Sequence, residues 1–340
     1  MWSLCASILE VAIVERKQIV AIGVAIIVIG SVGALVYWSA RPRPDVRIGY
    51  LTKDLHQLAL RVAVENGYFE RENLTVQLYQ YSNGANEMDG FVSTIDMGYL
   101  GAAPATIKRL NNDILITILA AVNLEGSAIM VSKEEYDLGH VTTISDLAGK
   151  GVYHPGPATV QNYLLRLALN QSGLDYSSVT PKYSQPWNMA DLLTAQDPAF
   201  IAWEPFPSQA EDAEQAVPLV LSGDIWPRHP CCVVAANNRF LSEHPDIVQK
   251  VIDIHKEAEE WIVSHPVEAI AIAVDWLEME QSAVELAFGR IIYDYNLNRT
   301  GLEMYLNFLI EEDQIESSKV PADIDAFLDT FINTTFIENA

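Results

Sequence analysis

The sequence predicts an α/β protein of two lobes, the second inserted in the first, with C-terminal helices packed on the first lobe and one N-terminal transmembrane helix. Three observations carry this. Strand-like and helix-like stretches alternate through residues 46–235. From Pro245 onward the apolar period turns helical, with Ile247, Val251, Ile254, Ala258 and Trp261 stepping by four and three. Ahead of both, Ile19 to Trp38 is an uncharged run of 20 residues, the length needed to cross a hydrocarbon core.

The chain has 340 residues, half of them apolar, which is enough for two packed cores. The net charge is −24, and it is unevenly placed: residues 1–44 carry four basic and two acidic side chains, leaving 17 basic against 43 acidic for the remainder. That balance excludes nucleic acid as a partner and otherwise describes a solvated surface. Arg16 and Lys17 precede the apolar run, and Tyr37-Trp38 closes it as an interfacial pair. Val32-Gly33-Ala34 passes as a signal-peptidase site, but the run is long for a signal, so an uncleaved anchor is expected. Residues 1–18 form a short N-terminal segment before it. Residues 39–44, with Arg41-Pro42-Arg43-Pro44, form a short stiff linker after it.

Val46-Arg47-Ile48-Gly49-Tyr50 alternates as a strand; Asp54 caps a helix from Leu55 that stops at Asn66-Gly67. Residues 74–81 alternate strictly, as in a half-buried strand, and Gly84, Asn86 and Met88 open a short helical stretch. Residues 93–100 then run into Gly101-Ala102-Ala103-Pro104-Ala105-Thr106. A continuous apolar strand over 114–122, the turn Asn123-Leu124-Glu125-Gly126-Ser127 and a strand over 128–131 mark a crossover between lobes. A short helix near 142–149 and a strand ending at Tyr153 follow, then a strand from Thr180 to Tyr183, a helix over 191–195, and a strand over 198–203. Residues 231–235 form the return strand. The division expected is therefore 45–131 with 236–340 for lobe 1, and 132–235 for lobe 2. His265-Pro266 with Glu268 starts one late helix, and Thr300-Gly301-Leu302-Glu303 reads as a capping box for another.

Two junctions look alike. In Tyr153-His154-Pro155-Gly156-Pro157-Ala158-Thr159-Val160-Gln161, Gly156 and Pro157 fit the N-cap and first helical position, leaving unpaired donors on Ala158, Thr159 and Val160. Pro104 fits the first helical position of the other, with donors on Ala105 and Thr106. Such termini attract anions and polar oxygens, and in open α/β sheets they lie at the ligand crevice. An ordinary junction whose donors are met by water or by the Thr159 hydroxyl is the plain alternative for either one alone.

Of the three cysteines, Cys5 precedes the membrane segment. Cys231 and Cys232 are adjacent in Trp226-Pro227-Arg228-His229-Pro230-Cys231-Cys232, a composition open to a metal site, a vicinal disulfide or the start of a buried strand. Without CxxC spacing or a second cluster the buried strand is the default, and neither metal nor cofactor is assigned.

The chain resembles the substrate-binding proteins of ABC importers, in the nitrate/sulfonate/taurine (NitT/TauT) branch that includes binders of the thiamine pyrimidine precursor. The resemblance covers about residues 45–340 and rests on the order of several loose motifs. These are Ile48-Gly49-Tyr50 with Asp54-Leu55-His56-Gln57, Glu65-Asn66-Gly67-Tyr68-Phe69, and Asp96-Met97-Gly98-Tyr99-Leu100-Gly101. Ser145-Asp146-Leu147-Ala148-Gly149-Lys150 and Ala202-Trp203-Glu204-Pro205-Phe206 follow, and the tail 295–309 closes the series. The resemblance implies a type II periplasmic-binding-protein fold, a small molecule trapped between lobes by hinge closure, and delivery to ABC permease subunits. It implies a monomer that is no enzyme, tethered to the cell membrane by 19–38 with its binding domain outside.

Carried onto this sequence, the resemblance implies ligand contacts from Thr52, His56 and Gln57, then Gly101, Ala102 and Ala103. The crossover contributes Glu125, Gly126 and Ser127; the second lobe contributes Gly156, Ala158 and Thr159, with Trp203 and Glu204 on a facing strand end. Trp187 is a second aromatic candidate for stacking. No arginine clamp is evident, Lys53 and Arg228 being the nearby cations, so an anion such as nitrate, bicarbonate or a sulfonate and a small heteroaromatic both stay open. The rival is an iron-dependent enzyme of the same fold that makes the thiamine pyrimidine and uses a cysteine-rich motif, to which only Cys231-Cys232 corresponds.

Overall fold

The structure is a computed structural model, and it describes residues 43–340. The anchor expected over 19–38 lies outside the described residues, and among those described no helix is long and apolar enough to cross a membrane.

Eleven strands make two sheets among the described residues. The first comprises β1 (Val46–Leu51), β2 (Val76–Tyr81), β3 (Met97–Gly101), β4 (Ile116–Glu125), β10 (Pro230–Asn237) and β11 (Ile291–Tyr293), ordered β11-β4-β10-β3-β1-β2. The second comprises β5 (Ser127–Ser132), β6 (Gly151–His154), β7 (Thr180–Tyr183), β8 (Ala199–Trp203) and β9 (Ala216–Leu221), ordered β7-β6-β8-β5-β9. Each holds a parallel trio followed by one antiparallel strand: β2, β1 and β3 against β10, and β7, β6 and β8 against β5. The two lobes repeat one layout, and the antiparallel member in each is a strand that has crossed from the other lobe.

The crossings fall earlier than the sequence indicated. β5 belongs to the second sheet and β10 to the first, so the chain changes lobes at Gly126 and before Pro230, not at 131/132 and 235/236. β4 reaches Glu125 without a break because its residues 116–124 are all buried and most pair with β10 or β11. The turn is left to Glu125 and Gly126, both at positive φ (63° and 81°). Strands β9 and β11 carried no clear alternation, and sequence reasoning missed both.

The first sheet is covered on both faces. Helices Leu58–Glu65, Pro245–Ser264 and Pro266–Leu277 bury one apolar cluster, and helices Ala102–Asn111, Arg299–Glu311 and Ile324–Phe331 another. Helix Val160–Gln171 covers one face of the second sheet, and Phe206–Asp212 with Pro186–Met189 the other.

Several boundaries moved for identifiable reasons. Asp54 does cap, accepting from His56 N, but a short 3-10 turn (Leu55–Gln57) precedes helix Leu58–Glu65. The late helix starts at Arg299, because Asn298 Oδ1 takes the Gly301 N–H at 2.9 Å; Thr300 is inside the helix and is no cap. The helix expected over 191–195 is replaced by Pro186–Met189 and a 3-10 turn (Ala190–Leu192), since Pro186 offers a better first-turn residue.

Candidate functional site

The carboxyl ends of β1, β3, β6 and β8 converge, with the start of β10, on a cleft of about 350 Å³ between the sheets. Leu51, Gly101, Pro155 and Trp203 mark the four strand ends, and Cys231 and Cys232 the fifth. This follows from the topology: β10 runs antiparallel to β3, pairing Cys232 with Gly101, so its beginning meets the ends of its neighbours.

On the first lobe, helix Ala102–Asn111 is capped by Gly101, which places Pro104 third in the helix. The free first-turn donors are therefore those of Ala102 and Ala103 instead of Ala105 and Thr106. Thr106 instead donates its hydroxyl to Ala102 O at 2.9 Å. Asn83 caps the neighbouring helix Gly84–Gly90 through Asn86 N, and Asn83, Gly84, Ala85 and Asn86 line the cleft beside Pro104.

On the second lobe, Thr159 is the N-cap, its Oγ1 accepting from Asn162 N at 3.3 Å and donating to Gly156 O at 2.7 Å. The helix thus begins at Val160, three residues after the expected start, and the donors it leaves unpaired belong to Val160 and Gln161. A threonine hydroxyl satisfies the helix better than glycine does, which is why Gly156, at φ 134°, stays in the preceding loop. Pro155, Gly156, Pro157 and Ala158 form that loop, and all face the cleft with Thr159, Val160 and Gln161.

Of the ligand contacts implied by the resemblance, six line this cleft: His56, Gly101, Gly156, Ala158, Thr159 and Trp203. The other eight stand behind or beside it. Thr52 bonds Tyr81 O, Gln57 Oε1 accepts from Leu51 N while its amide reaches Asp54, and Ala102 and Ala103 are buried in their helix. Glu125 Oε1 accepts from Arg228 N, Gly126 O accepts from Glu204 N, and Ser127 Oγ accepts from Gln161 Nε2. Glu204 is fully buried against Arg290 and Ser208. Sequence reasoning missed Asn83, Gln161, Tyr183 and Gln185 as lining residues. Tyr183 ends a recognised strand, which was the available signal.

No lysine or arginine is among the lining residues. Trp187 packs toward Phe206, and Arg228 pairs with Asp294 at 2.6 Å. Trp203 Nε1 is buried with no partner, a donor left for something in the cleft.

The floor holds titratable groups. His56 Nε2 lies 2.8 Å from Gly126 O; since a carbonyl only accepts, Nε2 carries the proton. Nδ1 then faces Cys231 Sγ at 3.5 Å, Cys232 Sγ at 3.8 Å and Asp54 Oδ1 at 3.5 Å. Burial alone pushes His56 down, but the Cys231 and Asp54 charges outweigh it and lift its pKa to about 9. Burial lifts Asp54 to about 6 against the pull of His56. Cys231 lies well below an ordinary thiol, held by a hydrogen bond from Cys232 and by His56. Neither cysteine is in a disulfide.

Two lobes of repeated topology around a cleft at their strand ends define a two-lobed α/β binding-protein fold. The chain belongs to the NMT1-like family, whose model matches residues 39–278. It is 23% identical over 245 residues to a protein of Brucella abortus (strain 2308) whose name calls it a binding protein, spanning 71% of this chain and 74% of that one. The nitrate-binding protein NrtA of Synechocystis PCC 6803 superposes with a TM-score of 0.75 at 15% identity, covering 88% of this chain and 89% of the other. The alkanesulfonate-binding protein SsuA of Xanthomonas axonopodis pv. citri, bound to MOPS, gives 0.70 at 17% identity, covering 84% and 99%. These matches bear out the resemblance read from the sequence motifs.

Proposed function

We propose that the chain is the solute-binding component of an ABC importer, held at the outer face of the cell membrane by residues 19–38 and delivering its ligand to permease subunits. The observation that carries this is the cleft itself, lined by Gly101 at the N-cap of one helix on the first lobe and by Val160 and Gln161 in the first turn of another on the second, with an unpartnered Trp203 Nε1 between strand ends. Helix termini supply N–H donors and positive potential without a cationic side chain. The ligand that fits is small, with an oxygen-rich head on the Val160 and Gln161 donors and a flat or apolar body against Trp203, Pro155 and Pro157. Alkanesulfonates and small heteroaromatics meet that description better than a bare inorganic anion, because the wall is largely apolar. The protein acts as a monomer, since one chain supplies both jaws.

Calorimetric titration of the purified full chain with nitrate, bicarbonate, alkanesulfonates and hydroxymethylpyrimidine tests this. Saturable binding of a member of one class, weakened by Trp203→Phe, is expected; no heat from any of them overturns it. Fractionation of cells tests the anchor, and recovery of the intact chain in the soluble fraction would refute it.

A further inference from the structure

In a regular strand, neighbouring side chains point to opposite faces. Cys231 and Cys232 do not, because β10 bulges there: Pro230 faces Leu124 and Cys232 faces Asn123, leaving Cys231 as an extra residue against β4. Both thiols therefore reach one imidazole nitrogen. The Sγ atoms and a His56 ring nitrogen all lie within 4.8 Å of one another, all three residues are buried, and all three line the cleft.

The imidazole is oriented for more than packing. Nε2–H is committed to Gly126 O, so Nδ1 is the ring atom turned to the sulfurs, and a metal would displace any proton it carries; a backbone carbonyl fixing the far nitrogen is the usual arrangement behind a metal-bound histidine. Asp54, which stands 3.5 Å from Nδ1, is itself held by His56 N at 3.0 Å. Metal–sulfur bonds of about 2.3 Å and metal–nitrogen bonds of about 2.0–2.1 Å at tetrahedral angles put sulfur and nitrogen about 3.5–3.6 Å apart. The distances here are 3.5 and 3.8 Å.

We propose that His56 Nδ1, Cys231 Sγ and Cys232 Sγ bind one thiophilic divalent metal ion of the Zn²⁺ class, its fourth position open to the cleft. Three donors are supplied from two separated stretches of the first lobe, so the ion ties the loop after β1 to the start of β10. Binding releases whatever protons the three groups carry, because the ligating set is two thiolates and a neutral imidazole. The fourth position takes water or a donor atom of a solute. The site stands on its own geometry and does not depend on the import reading.

Cobalt(II) is the probe. The reduced full chain, stripped of metal with a chelator, is expected to bind one equivalent of Co²⁺ with intense tetrahedral d–d absorption and a thiolate-to-cobalt charge-transfer band, both abolished by Zn²⁺. Cobalt binding should release protons and tighten as pH rises. Cys231→Ser and Cys232→Ser should each weaken binding by about a hundredfold or more, with unchanged urea midpoints in the absence of metal showing that the fold survives. Absence of the charge-transfer band in the parent overturns the proposal. So does its persistence in the double Cys231→Ser, Cys232→Ser variant, which would put the thiolate at Cys5. If either variant unfolds, the charge-transfer intensity of the parent decides, and an intensity of one bound thiolate instead of two refutes the site.

Discussion

Arg290 Nη1 lies 3.2 Å from Glu204 Oε1, joining the two lobes through an ion pair whose carboxylate is fully buried. Arg290 follows helix Gln281–Phe288 and leads into β11 of the first sheet, while Glu204 follows β8 of the second. The arginine also reaches Ser208 Oγ at 3.1 Å and the Glu211 carboxylate, and Glu204 Oε2 accepts from Ser208 N at 3.1 Å. Burial lifts the Glu204 carboxyl above its usual range, and Arg290 and Ser208 draw it back. Removing one partner leaves a buried charge alone, which costs about 3–5 kcal/mol. Arg290→Met should therefore lower stability by that amount in urea unfolding, and adding Glu204→Gln should restore most of it. A loss below about 1 kcal/mol would show the pair to be idle.

Thr159 acts through its side chain. Because its Oγ1 caps helix Val160–Gln171 at Asn162 N, Thr159→Ala should cost about 1 kcal/mol of stability and, by loosening the first turn, weaken ligand binding in the same protein. Thr159→Ser keeps the hydroxyl and should recover both. Stability equal to the parent in Thr159→Ala would remove the cap from the account.

The contrast between these two residues shows what the sequence could convey. Alternation and helical period located most strands and three of the late helices, Pro245–Ser264, Pro266–Leu277 and Arg299–Glu311, since burial of one face imposes a period that needs no knowledge of the partner. The strand ends followed, and the contacts that the family resemblance implied at them include six of the lining residues. What the sequence withheld was set by contacts distant along the chain. Glu204 looks like a ligand group until Arg290, 86 residues on, is seen to occupy it. Gly156-Pro157 looks like a helix start, and only the competing hydroxyl of Thr159 moves it. Cys231 and Cys232 look like alternating strand residues, and the bulge that turns both to His56 is a property of pairing with β4.

Gly126 separates conformation from space. At φ 81°, a Cβ there would stand 2.3 Å from His56 Nε2 and 2.8 Å from Ile291 Cγ1, and its carbonyl serves both His56 and Glu204 N. Gly139 has a similar φ of 73° but nothing within 4 Å of the added atom. Gly139→Ala should cost only the left-handed conformation, about 1 kcal/mol. Gly126→Ala should cost that plus the displacement of His56, about 3 kcal/mol in all, measured by urea unfolding of both. Equal losses would mean that the crossover is looser than the packing of His56 indicates.

Glu259 makes stability fall as pH rises. It lies in helix Pro245–Ser264, buried, with neither carboxylate oxygen partnered. Burial, with the charge of Asp294 adding to it, raises its pKa well above the usual value. The unfolded chain releases this proton near pH 4.3 while the folded chain keeps it, so the folded state binds more protons above that pH and loses stability with each further unit, by at most about 1.4 kcal/mol, until its own pKa is reached. Glu259→Gln cannot titrate. The buried neutral histidine His255, lowered to about 4 by burial, is common to both proteins and cancels in the difference. The stability advantage of Glu259→Gln over the parent, read from urea midpoints, should therefore widen between about pH 5 and pH 8. A constant difference across that range would mean that Glu259 is ionised in the folded protein and that a group unseen at its carboxylate compensates it.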